Sequence, residues 1–205
     1  MSQSSASAMP VQIFNGNAYF AIPMPVIDFP QLLTDFINEN PDTPEIETLA
    51  AQLVESNFPP HSMADFVTRV CEWGGQQGVR ILSRVLRHNA DTEIADALRN
   101  ASSSLGQGQF VDALTYVDKL RFLDVSFASK HLRFLRPDIC PVFDSYLHDA
   151  LPYTLDASGY SDFANDCAWL AHQLGANQIP NPRQRAGGVW FAADVEGAIY
   201  MLATR

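Results

Sequence analysis

Apolar residues recur at helical spacing in one segment after another of this chain, and a single stretch gives a good strand signal. That imbalance restricts the fold to a bundle of helices. Residues 29–38 carry Leu32, Leu33, Phe36 and Ile37 at helical spacing, and residues 43–56 carry Ile46, Leu49, Leu53 and Val54. The second run opens on Thr43-Pro44-Glu45, which supplies a cap, a proline at the first helical position and an early acid. Residues 63–73, with Ser62 as the expected cap, repeat the pattern through Phe66, Val67, Val70 and Trp73. Gly74-Gly75 breaks it. Further helices are expected over 79–88, over 91–101 with Asp91 as cap, and over 110–120, with the SSSLGQGQ segment at 102–109 as a loop. Helices over 158–175 and 192–203 close the chain. The strand signal lies at 11–22, VQIFNGNAYFAI, where Asn15-Gly16 favours the tight turn of a hairpin. The expected architecture is mostly α, a multi-helix bundle with a short N-terminal β-hairpin.

With 205 residues, 47% of them apolar, the chain can bury one sizeable core. Residues 10–205 are therefore expected to form a single helical domain, with room for two lobes around a cleft. The polar, Ser-rich residues 1–9 are expected to be a disordered tail. No apolar run approaches the roughly 18 residues of a membrane span, and the N-terminus lacks the basic start and apolar stretch of a signal peptide. Cys71, Cys140 and Cys167 are odd in number and widely spaced, which argues against a disulfide scaffold or a zinc site and for small buried side chains. A reducing, cytoplasmic setting and a monomer are expected, with no membrane partner.

The net charge of -10 argues against binding nucleic acid over the whole surface. Its distribution is uneven. Residues 1–68 hold eight acids and no Lys or Arg, residues 69–136 hold ten bases against seven acids, and residues 137–205 hold three bases against eight acids. Arg80, Arg84 and Arg87 share one helical face beyond the Gly-rich GGQQG segment. That face reads equally as a phosphate-contacting surface or as a solvated one paired with the acidic flanks. GGQQG lacks the Lys-Ser/Thr of a nucleotide-binding P-loop.

Chemistry concentrates in residues 126–146, SFASKHLRFLRPDICPVFDSY. Lys130 is one of only two lysines, and it lies in the first turns of a helix for which Ser126 is the expected cap. A helix N-terminus and apolar surroundings both favour the neutral, nucleophilic amine. Fourteen residues on, Pro141-Val142-Phe143 forms an extended approach to Asp144, which opens another helix. Asp144 reads as an N-cap, or as a carboxylate with electrostatic work to do in a cavity.

The segment SKHLRFLRPDICPVFDS resembles the catalytic segment of the helix-hairpin-helix DNA glycosylases of the 8-oxoguanine DNA glycosylase fold, and more closely a compact bacterial group with that fold. VCEWGGQQGVRI and ADVEGAIY also look like that group. Lys130 matches the family's lysine, Pro141-Val142 its approach and Asp144 its aspartate. Ser126 and Ala128 stand where the family's hairpin has glycines that bring backbone N–H groups to phosphate. The resemblance implies an enzyme that flips a damaged or modified base out of double-stranded DNA, attacks the sugar with Lys130 to form a Schiff base, and nicks the strand as an AP lyase. It implies a role in base-excision repair or in defence against modified foreign (phage) DNA, with no metal and no cofactor. Trp73, Tyr146 and Trp190 are the candidates to stack the base. Arg80, Arg84, Arg133 and Arg136, with Ser126 and Ala128, are the candidates for DNA phosphate contact. The alternative is a non-catalytic nucleic-acid- or protein-binding module that retains the fold.

Overall fold

The computed structural model describes residues 28–204 and, ahead of them, three short strands: β1 (Gln12–Phe14), β2 (Asn17–Tyr19) and β3 (Pro23–Pro25), paired antiparallel in that order. The Asn15-Gly16 turn expected to close a hairpin and the tail expected over 1–9 lie outside the described residues. The rest is mostly helical: α1 (Phe29–Glu39), α2 (Thr43–Glu55), α3 (Met63–Trp73), α4 (Gly75–His88), α5 (Asp91–Gly106), α6 (Phe110–Asp118), α7 (Val125–Leu135), α8 (Ser145–Ala150), α9 (Ala157–Ala176) and α10 (Ala192–Ala203).

The apolar stripes read from the sequence face one continuous core, apart from Val54 of α2, which is exposed. Leu32, Leu33 and Phe36 of α1, Ile46 and Leu53 of α2, and Phe66, Val67 and Val70 of α3 are all buried there. Each such side chain contributes about 1.5–3 kcal/mol relative to leaving it in water. Helix α1 packs along α10, α3 along α4, and α5 along α6, while α7 touches α2, α3, α5 and α6 and so runs through the centre. That position explains why nine consecutive residues of α7, from Phe127 to Leu135, are buried.

Several expectations about helix ends need correction, among them the starts of α4, which begins at Gly75 rather than Val79, and of α5, where Asp91 is the first helical residue and not the cap. The loop expected at 102–109 begins only after Gly106, because Leu105 continues the buried stripe of Leu98 and Ala101, and that packing overrides the weak helix preference of the serines. Thr43 lies inside α2, where its hydroxyl donates to the Asn40 carbonyl, and Ser62 makes no side-chain cap bond. Ser126 is not the cap of α7. Asp124 is, its carboxylate accepting from the Phe127 N–H at 3.1 Å.

The break between α3 and α4 falls at Gly74-Gly75 as expected, with Gly75 at φ +74°, a conformation open to glycine. Gly78 lets the two helices meet: a Cβ there would lie 1.9 Å from the Cys71 carbonyl oxygen. The Ala192 and Ala193 N–H groups donate to the Asp138 and Pro137 carbonyls at 3.1 Å. This ties the start of α10 to the chain that leaves α7.

Candidate active site

Lys130 and Asp144 meet because α7 and the strand-like approach to α8 are buttoned together one residue before each. The Ser129 hydroxyl accepts from the Phe143 N–H at 2.9 Å and lies 3.2 Å from the Phe143 carbonyl. With that register set, Lys130 Nζ donates to Asp144 Oδ2 at 3.3 Å and to Ser126 Oγ at 3.1 Å, and rests 5.1 Å from the centre of the Phe127 ring. Asp144 also caps α8, its Oδ1 accepting from the Leu147 N–H at 3.3 Å. The two readings of Asp144 are therefore compatible: one oxygen orders the helix and the other faces the lysine. Lys130 is 6% exposed and Asp144 9%, so the pair is largely shielded from water, where charge–charge interactions are stronger than at the surface.

Both groups line a cavity of about 180 Å³. Its wall is aromatic on several sides, from Phe36 of α1, Trp73 of α3, Tyr146 of α8 and Tyr200 of α10. Trp73 is fixed by an Nε1–H bond to Thr43 Oγ1 at 3.0 Å and by edge contact with Phe134. Tyr146 is 60% exposed and meets Tyr200 edge-on. Gly74, Gly75, Asn40 and Glu196 complete the wall together with Val142.

The remaining candidates divide. Trp190 is a core residue, not a wall of this cavity: it is buried, meets Phe29 edge-on and donates to the Ile179 carbonyl. Arg133 does not reach solvent. It is fully buried, with Nη1 2.8 Å from Glu47 of α2. Arg185 joins the same Glu47 and also grips Asp194 of α10. Burial alone would raise the Glu47 carboxyl, but Arg133 and Arg185 together hold it below its ordinary value. This network locks α2, α7 and α10 around the cavity. Ala128 is buried and its N–H is spent on the Asp124 carbonyl within α7, so no phosphate-binding hairpin forms there. Ser126 serves Lys130. Arg136 is held in a two-pronged pair with Asp138 at the end of α7. Arg80 and Arg84 are exposed on α4, and Arg84 stacks 5.2 Å from the ring of Phe122, in the connection between α6 and α7.

The described cysteines and the neighbouring histidine do not compete with Lys130. Burial pushes the Cys71 and Cys140 thiols up to about 12, which keeps them out of the reactive thiolate form. His131, beside Lys130, is fully buried, which depresses it to about 4 and leaves it neutral. Ser129, Glu196, Asn40 and Tyr200 were not singled out by sequence reasoning, and Phe36 was read only as part of an apolar stripe. A serine beside the lysine was the only visible hint of Ser129, and a glutamate inside an apolar helix was the hint of Glu196.

Among the described residues no helix is long and apolar enough to cross a membrane. Family models, curated proteins and solved structures were all compared with the chain, and none matches.

Proposed function

We propose that the protein is a DNA glycosylase with AP lyase activity, excising a damaged or modified base through a Schiff base on Lys130. The observation that carries this reading is the Lys130–Asp144 pair, 3.3 Å apart, lining a cavity with aromatic walls. A base flipped from the duplex needs flat apolar surfaces to replace its stacking neighbours, and Trp73 and Tyr146 supply them. Lys130, as the free amine, attacks the sugar C1′. Asp144 accepts protons from the amine and stabilises the positive charge that develops on the sugar and on the iminium. Elimination from the Schiff base then breaks the strand. Exposed Arg80 and Arg84 are the groups assigned to the phosphate backbone.

Reduction with borohydride tests this. A duplex with a preformed abasic site is expected to give a covalent adduct with the wild-type protein and none with Lys130→Gln. A folded wild-type protein that yields no adduct sinks the reading. That result favours a non-catalytic binding module, which the net charge of -10 and the occupied N–H of Ala128 would suit.

A further inference from the structure

One group in the cavity has no part in the reaction above. Glu196 of α10 is 1% exposed and lines the cavity with Lys130 and Asp144. The Val142 backbone N–H donates to its carboxyl, and Oε2 has no hydrogen-bond partner among the described residues. A buried carboxylate with an empty oxygen is costly, whereas a neutral acid needs only an acceptor for its O–H. A ligand in the cavity would provide that acceptor.

The surroundings set the protonation state. Lys130 and Arg133 face Glu196 from α7, Asp144 from the cap of α8, Tyr160 and Cys167 from α9, and Tyr200 from its own helix. Burial is the largest influence and, with Asp144, pushes the Glu196 carboxyl up to about 8, against the opposing pull of Arg133, the Val142 N–H and Lys130. One carboxyl of the cavity is thus paired with an amine, and the other stands protonated and unpaired at neutral pH. A carboxyl held protonated in a cavity can serve as an acid.

Resting on the glycosylase reading, we propose that Glu196 is a further catalytic residue, the acid that protonates the departing base from Oε2. Lys130 gives its lone pair to C1′, and the C1′–N bond breaks with its electron pair passing to the base. The Glu196 proton moves onto the base, which leaves neutral. The lysine nitrogen, now bearing two hydrogens and a positive charge, gives one proton to Asp144, and Glu196 takes a proton from water once the base has left.

An abasic site has no base to protonate, and this separates the two claims. Wild type and Glu196→Gln are compared on a duplex with a preformed abasic site, and on duplexes carrying 8-oxoguanine or 5-hydroxymethylcytosine. The expected result is equal borohydride trapping on the abasic duplex, with base excision slowed at least about 100-fold, the low end of general-acid catalysis. Excision by Glu196→Gln at the wild-type rate overturns the role of Glu196 while leaving the Lys130 reading intact, as does excision of neither base by a wild type that traps the abasic site. Absence of trapping by wild type removes the reading on which the proposal rests. Should the variant not fold, the wild-type protein decides: the ratio of excision rate to abasic trapping rate falls as pH rises through about 8, and a constant ratio from pH 6.5 to 9 overturns the proposal.

Discussion

Lys130 and Asp144 owe their 3.3 Å separation to the Ser129 clasp rather than to mutual attraction, since a buried ion pair rarely gains enough to repay its lost hydration. The same residues thus hold a lysine–carboxylate pair in a place where stability alone would not put one. Glu196 makes the point measurable. Its carboxyl titrates near 8 in the fold, against an ordinary value of 4.5. The folded state therefore binds that proton more tightly than the unfolded chain. The associated stability is fully present below about pH 4.5 and is lost as pH rises through 8. Glu196→Gln removes the ionisation, so its stability relative to wild type is expected to improve by roughly 2–4 kcal/mol between pH 5 and pH 9. Urea unfolding at the two pH values checks this. A difference that does not change with pH would mean that Glu196 is not held protonated.

Helices carry most of what could be read in advance. Apolar spacing and cap signals together pointed to a helix within each of α1 to α7, α9 and α10, and Asp144 was legible as the start of α8 because Asp is a favoured cap after an extended Pro-Val-Phe. The ends were less legible, because Leu105 and Asp124 act through tertiary packing and cap geometry that spacing does not encode. The site was legible in part for the same reason. Lys130, Asp144, Trp73 and Tyr146 converge, whereas Trp190 and Arg133 look equally available in sequence and are consumed by the core and by Glu47. Glu196 left only a faint hint, because a lone acid in a helix reads as solvated until its neighbours are known. One element open to disruption by a single change is the α3–α4 crossing. Gly78→Ala would place a methyl 1.9 Å from the Cys71 carbonyl, a backbone atom that cannot swing aside. A loss of about 2–3 kcal/mol or more is expected, seen as a lower urea midpoint. An unchanged midpoint would show that α3 and α4 separate freely.

At the scale of the whole molecule, the charge of -10 sets the terms on which any polyanion can be met. Long-range steering is unfavourable, and contact must be local, through an exposed face such as that of Arg80 and Arg84 on α4. If both meet phosphate, Arg80→Ala/Arg84→Ala flattens the dependence of log affinity on log salt by about 0.9 per contact, or about 2 in all. Fluorescence anisotropy on an abasic-analogue duplex reads that slope, and an unaltered slope moves the DNA to another face. The central claim is tested most directly by where the sugar becomes attached. The chain contains only Lys119 and Lys130, so peptide mass mapping of the borohydride-reduced adduct leaves few alternatives. The reduced sugar is predicted on the peptide that contains Lys130. Its appearance on Lys119 or the terminal amine, with Lys130 unmodified, would contradict the account.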